Sequence, residues 1–499
     1  LTCAAETSII ATQAWITRAR ARREKSVTTV IWWTRRDLRL ADNQALAAAM
    51  SQADRVVPVF VLDPVLLGAP EAGSRRLAFL FGGLRALDES LRALGSRLLV
   101  RRGDPATELA LLCRETGASR IYAEEDPWPY ARRRDARVGA EVSLILTAGL
   151  SVHPSGAVRK ADGSPYGVFG AFRRAWHALP LPSGEDLHPA PARLGPPPDV
   201  MSLPIPTEPS LSAAASFPPG EAEALRRLRV FAEHPGAAIY GYDADRDRMD
   251  LPGTSQLSPY FRFGMISARR AMMAARRAAA SARGAKARQG AETWLTELIW
   301  REFYMSILYH FPDVLEEAFR PALRDILWDN DATAFAAWCE GRTGYPVVDA
   351  GMRQLMATGW MHNRARMIAA SFLVKDLLID WRWGERFFMQ HLLDGDPAAN
   401  NGGWQWTAGT GTDPAPYFRV FNPVLQGARF DPEGHYVRRW VPELSRLPDR
   451  YIHEPWRMPS TVQRDAGCVI GHDYPAPIID HNWARGRALA AYRKARSPR

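Results

Sequence analysis

Four residues within "ETWLTELIWREFYMSILYHF" have types and spacing that could do chemistry: Glu297, Trp300, Arg301 and Tyr304. At 3.6 residues per turn they share one helical face, so an acid, an indole, a cation and a phenol form a single stripe. Two readings are open. In one, Trp300 and Tyr304 are core and Glu297 with Arg301 makes an ordinary i,i+4 ion pair. In the other, the stripe is an aromatic platform beside a cation, on which exposed bases stack for about 1–3 kcal/mol each. "TGWMHNRARMIAASF" adds Asn363 and Met367 four apart, with Arg364 and Arg366 beside them. An amide and a soft thioether can there meet one ligand. His362 has no H-x-x-x-H partner and reads as a structural histidine rather than a metal ligand.

Two further stretches carry polar groups in unusual density. "GTSQLS" (253–258) offers three hydroxyls before a helical run, a loop that can hold phosphate without a Walker motif or be a plain turn. "DGDPAANNGGWQW" (394–406) combines two acids, two adjacent amides, two adjacent glycines and two indoles. The stretch itself holds two acids, Asp394 and Asp396, no histidine and an adjacent apolar "PAA", so no metal is expected. Gly402 and Gly403 permit close backbone approach to a planar ligand. Asn400 can offer a neutral amide to a ring nitrogen, and Trp404 can lie close enough to exchange an electron with it.

These groups must be positioned by a chain too long for one core. With 499 residues, two or three domains are expected. From residue 28 to about 150, the short apolar runs "TVIWW", "RVVPVFVLD", "SRLLVRRG" and "RIYAEE" alternate with helical stretches, which predicts a parallel α/β sheet. No G-x-G-x-x-G or Walker loop follows any strand, so a nicotinamide or ATP cradle is not supported. Twelve prolines between Pro180 and Gly220 forbid regular structure and mark an extended connector. Beyond it the spacing is helical throughout, predicting an all-α second domain. The expected organisation is an extension over 1–27, the α/β domain over 28–155, a linker over 156–220, the helical domain over 221–485 and a basic tail over 486–499.

Charge and composition narrow the partners. A formal net charge of +10 and a pI near 9.6 tilt the partners toward polyanions, nucleic acid before anionic membrane, with a merely solvated basic surface as the other open reading. No apolar run is long enough to span a membrane. Cys3, Cys113, Cys339 and Cys468 form no C-x-x-C pair, so neither a zinc site nor a disulfide framework is expected, and a reducing, cytoplasmic compartment fits. The Arg-rich first 26 residues lack a secretory apolar region and read as a dispensable extension or a transit peptide.

The motifs "WTRRDLRLADNQAL", "GTSQLSPYFRFGMIS", "WLTELIWREFY", "TGYPVVDAGMRQL", "TGWMHNRARM", "ASFLVKDLLIDWRWGERFFM", "DGDPAANNGGWQW" and "YFRVFNP" together resemble the photolyase and cryptochrome flavoprotein family, most closely the bacterial class I cyclobutane pyrimidine dimer photolyases. The resemblance implies FAD, reduced in the active form, buried in the helical domain below a hole that receives a dimer flipped out of UV-damaged DNA, double- or single-stranded. It implies that Tyr242 and the loop Thr254, Ser255, Gln256, Leu257 and Ser258 hold phosphates and ribitol, that Asp394 pairs with Arg366, that Gly395 and Asp396 approach the flavin, and that Asn400 faces its N5. Glu297, Trp300, Asn363, Met367 and Trp406 are implied around the lesion, with Arg246, Arg301, Tyr304 and Arg364 also contacting DNA. A carboxyl at Glu297 that hydrogen-bonds the dimer should have a raised pKa.

The resemblance also maps an electron route onto Trp404, Trp381 and Trp328, with Trp383 a close alternative to Trp381. A (6-4) substrate is not expected, because that branch places histidines where this chain has Asn363 and Met367. The alternative function is a cryptochrome-type blue-light receptor that binds FAD and repairs nothing. Trp128 stands where many members carry an acid that helps hold an antenna, which leaves a folate or deazaflavin second chromophore open. A monomer without an obligate protein partner is expected.

Overall fold

In the computed structural model, which describes residues 27–211, 216–414, 416 and 419–496, a parallel sheet domain packs against a helical domain. The expected extension 1–27 lies outside the described residues except for Val27. The sheet has five strands in the order β3-β2-β1-β4-β5: β1 Thr29–Trp33, β2 Arg55–Leu62, β3 Leu99–Arg102, β4 Ile121–Glu124 and β5 Leu144–Thr147. All pairings are parallel, with Thr29 opposite Arg55 and Ile31 opposite Ile121. β1 is buried along its whole length, as a strand covered by helices on both faces must be. Pro58 is tolerated inside β2 because pairing with β3 begins only at Val59. β5 was not among the four apolar runs read as strands; its Ile145 and Leu146 are exposed at the sheet edge, so no buried pattern announced it.

Helices α1 (Gln44–Gln52), α2 (Ser74–Ala93), α3 (Pro105–Thr116) and α4 (Pro129–Glu141) cover this sheet. Local signals fix α3: Asp104 accepts from the Thr107 amide, Pro105 opens the first turn, and Gly117 ends it at φ 67°.

The linker expected over 156–220 needs correction. Helix α5 (Phe169–Ala178) lies within it and buries Phe169, Phe172 and Trp176. Part of the proline-rich remainder runs along β3, where Leu203 donates to the Val100 carbonyl at 2.9 Å, so it covers a sheet edge as well as connecting domains.

The second domain contains α6 (Glu221–Ala232), α7 (Ala268–Ser281), α8 (Ala285–His310), α9 (Pro346–Thr358), α10 (Asn363–Ser371), α11 (Trp381–His391), α12 (Pro397–Ala408) and α13 (His481–Arg496), among shorter turns. α8 is the strut between domains: Arg301 donates to the Leu150 carbonyl at 2.8 Å, and Glu302 accepts from the Trp176 indole at 2.6 Å. The expected basic tail from 486 is also corrected. It is the body of α13, whose Ala488 and Tyr492 are buried, with the Tyr492 hydroxyl donating to the Ala408 carbonyl at 2.7 Å. Its basic residues fall on the outer face of an amphipathic helix, which charge counting alone cannot distinguish from a free tail.

Candidate functional site

Three helices and one short segment converge where the sequence concentrates its chemistry. Arg246 pairs with Glu297 on α8, while Asp247 pairs with Arg364 on α10 at 2.6 Å, so residues 242–247 bridge the two helices. α12 meets α8 at Gly402, where a Cβ would fall 2.2 Å from the Tyr304 ring. Only glycine allows that approach. Tyr304 therefore packs on α12 at Gly402, while Asn400 and Trp404, on another side of that helix, meet α11 at Glu385 and Gly384. Asn363 is exposed at the head of α10, and its amide points to the Met367 sulfur at 3.7 Å.

The electrostatics around these residues are uneven. A third of the Glu297 side chain is open, yet burial by the surrounding walls raises its carboxyl above the usual range, with the Arg246 guanidinium opposing. Burial likewise raises the phenols of Tyr242 and Tyr304, with the Glu297 charge adding to both. His362 caps α10 by accepting the Arg364 amide at 3.1 Å, and burial drops its imidazole to about 4, so it is neutral.

Asp394 is buried and held by Arg366 at 2.8 Å through one oxygen, while its Oδ1 has no partner in the protein. Trp404, 2% exposed, likewise leaves its indole Nε1 without one. Buried polar atoms without partners are costly, so these two suit a polar ring seated beside them. Gly403 has open space where a side chain would stand. Asn400 donates its amide to the Glu385 carbonyl at 3.0 Å, which fixes the amide and leaves its oxygen available. Gly395 has no room for a Cβ beside Arg76. Thr254 and Ser255 are half-buried, Gln256 sits at φ 50° with its side chain held by Arg227 at 3.1 Å, and Ser258 is exposed. The Leu257 side chain is core, so only its backbone can serve a ligand. This donor set fits FAD.

Three expected roles are otherwise occupied. Arg301 neither pairs with Glu297 nor reaches a groove: its guanidinium is tied to the carbonyls of Leu150 and Phe261. Arg364 is spent on Asp247 and lies over the Phe430 ring at 4.3 Å. Asp396 has both oxygens engaged within the protein. One oxygen caps α12 through the Ala398 and Ala399 amides, and the other pairs with Arg36 of the sheet domain, with Arg262 at 3.8 Å. Those arginines hold its carboxyl well below the ordinary range against the cost of burial.

Trp404 packs on α11 at Gly384, where a Cβ would fall 2.1 Å from its ring. One turn back on α11, Trp381 is buried, whereas Trp383 turns toward Phe335 at 5.2 Å. Trp328 is half-buried, edge-on to Tyr492 at 6.1 Å. Sequence reading missed two neighbours. Trp338 is fully buried 6.1 Å from Trp404, and Phe169 stacks on Trp300; nothing in their local sequence sets them apart from core. It also missed a cavity of about 430 Å³ between the domains, lined by Arg35, Arg36, Trp128, Arg262 and Glu385, among others. Burial pushes the Glu385 carboxyl up to about 7.

Two family profiles match the chain: DNA photolyase over residues 30–194, and the FAD binding domain of DNA photolyase over residues 294–494. A deoxyribodipyrimidine photo-lyase of a Synechococcus species is 41% identical over 94% of this chain and 97% of its own length. Among solved structures, a bacterial class III photolyase from Agrobacterium tumefaciens superposes with a TM-score of 0.88 at 38% identity, covering 95% of this chain and 99% of that one. A cryptochrome from Synechocystis gives 0.85 at 29% identity, covering 94% and 100%. The chain belongs to the DNA photolyase family. These likenesses carry the family and leave class I as a reading of the motifs.

Proposed function

We infer that this chain is a deoxyribodipyrimidine photo-lyase, a carbon–carbon lyase that uses light to repair cyclobutane pyrimidine dimers in UV-damaged DNA. The observation that carries the mechanism is Glu297, a carboxyl raised by burial on the α8 face that also carries the paired rings of Trp300 and Tyr304 and held by Arg246. Bound and reduced, FAD supplies the light absorption and the electron that opens the cyclobutane ring.

The protein's part is positioning and electrostatics. Arg366 holds Asp394 through one oxygen, and the other, without a protein partner, would accept a hydrogen bond from the bound cofactor. Asn400, its amide donor committed to Glu385, would offer its oxygen as an acceptor to the bound cofactor. Tyr242 and the 254–258 loop take the phosphate and ribityl side. Everting a dimer costs a few kcal/mol of stacking, least at a damaged step, and Trp300, Trp406 and Met367 offer replacement surface. Glu297 in its protonated form donates to a pyrimidine carbonyl where negative charge builds, stabilising that charge in a site poor in water. Arg246 holds the carboxylate in the free protein and is released toward the DNA backbone when a dimer enters. Trp404, Trp381 and Trp328 carry electrons inward from the surface to restore the reduced cofactor.

The interdomain cavity suits a second chromophore, folate or deazaflavin, with apolar and aromatic walls and several arginines. The surplus of ten positive charges favours DNA as partner. We place the enzyme in the cytosol, acting as a monomer.

The test is illumination of the purified, reduced protein with an oligonucleotide carrying one thymine dimer. Restored thymines are expected. Flavin absorption with no restoration would favour the cryptochrome-type receptor, a reading to which the Synechocystis neighbour lends weight.

A further inference from the structure

Phe169, the first residue of α5, lies face to face with Trp300, with ring centroids 3.6 Å apart and planes within 8°. Around it the contacts are of a different kind: Phe169 meets Phe303 at 71°, and Trp300 meets Phe303 at 79°. Aromatic quadrupoles favour offset or edge-on pairs, so a parallel stack with centroids this close is imposed by its surroundings. Phe169 is 7% exposed and Trp300 half-buried, so one indole face is covered and the exposure belongs to the rest of the ring.

A distant residue holds Phe169 in place. Helix α5 has no side-chain cap of its own, since Val168 can offer none. The Phe169 amide donates instead to Oδ2 of Asp413, 3.1 Å away and 244 positions later. Asp413 belongs to the turn after α12, the helix that carries Asn400, Trp404 and Trp406. Its φ of 43° is a left-handed conformation that a non-glycine residue keeps only where its surroundings over-determine it. A carboxylate capping a helix start in trans is such a constraint.

We propose that Phe169 is a positioning residue for dimer recognition. It fixes the plane of Trp300 so that the open indole face meets an everted pyrimidine pair, and Asp413 keeps Phe169 in register. Ordering the indole during folding removes that entropy cost from binding. The inference rests on Trp300 being a lesion contact.

Phe169→Leu keeps apolar bulk and removes the flat ring; Phe169→Tyr keeps the ring. Asp413→Ala removes the cap acceptor, and Asp413→Asn keeps one. The holoproteins are compared in flavin content, affinity for dimer-containing and undamaged DNA of one sequence, and repair per photon at saturation. Phe169→Leu should weaken dimer binding by about three- to tenfold, the worth of one aromatic stack, with the loss in KM rather than in yield at saturation. Undamaged-DNA affinity and flavin content should hold. Asp413→Ala should share the loss, and Phe169→Tyr and Asp413→Asn should recover it. Parental dimer affinity in Phe169→Leu alongside a loss in Trp300→Leu overturns the inference and leaves the lesion pocket standing. No loss in Trp300→Leu overturns that reading of the pocket. Should Phe169→Leu lose flavin, the Asp413 pair decides: equal dimer affinity in Asp413→Ala and Asp413→Asn overturns the inference.

Discussion

Arg246 and Glu297 form an ion pair, and Arg301, one turn further along α8, turns away from both to the Leu150 carbonyl. The i,i+4 pair that spacing alone suggests is thus replaced by a tertiary one. The acid is held by Arg246 and the nearer cation braces the sheet domain. This division of one stripe leaves Glu297 as the titratable group available to a substrate.

Glu297→Ala should lower repair yield by a factor on the order of ten to a hundred, somewhat less than loss of an oxyanion donor, because the charge spreads over two rings. Flavin content should be unchanged. Because burial raises the folded pKa, the donor form is retained to higher pH than an ordinary glutamate allows, and yield should fall as pH rises through that value. A pH-independent yield in the parent protein would remove Glu297 from the role of donor.

A methyl group at Gly384 should displace Trp404. Gly384→Ala places a Cβ 2.1 Å from the indole and should cost about 1–3 kcal/mol of stability by overpacking. It should also slow photoreduction of oxidised flavin. Trp328→Phe should block that photoreduction while sparing repair by enzyme already reduced. Loss of both activities in Trp328→Phe would place the electron route elsewhere.

His362 makes the fold acid-sensitive. Its folded pKa is about 4 against 6.5 unfolded, so between these values the unfolded chain binds more protons and stability falls as pH drops. The full effect is at most about 3 kcal/mol. His362→Asn keeps a capping acceptor and should flatten this part of the pH profile in thermal melts.

Asp396 joins the two domains and starts α12. Asp396→Ala should cost about 3–5 kcal/mol, because Arg36 is left buried beside Arg262 with only Asp126, at 3.2 Å, opposite it. Weaker flavin retention should accompany the loss, since the uncapped helix carries Asn400 and Trp404. Its depressed pKa adds stability that is present above about 3.8 and lost as pH falls toward the folded value. Undiminished stability in Asp396→Ala would show that Arg36 finds other partners.

Much of the architecture follows from local rules. Short apolar runs set among helical stretches, against period-3.6 patterning throughout, separated the sheet domain from the helical one, and caps such as Asp104 and Gly117 fixed helix ends. The stretch 394–406 declared its polar density and its glycines, because a residue that must admit a neighbouring ring, as Gly402 admits Tyr304, has to be small. The chain by itself thus determined which groups were present and on which helical faces. Tertiary structure decided which of them were free to act. Charged side chains such as Arg301, Arg364 and Asp396 choose among partners more than a hundred positions away, and burial makes one choice far cheaper than the others. The same holds for Phe169, whose stack on Trp300 and cap from Asp413 exist only once three distant segments have packed together.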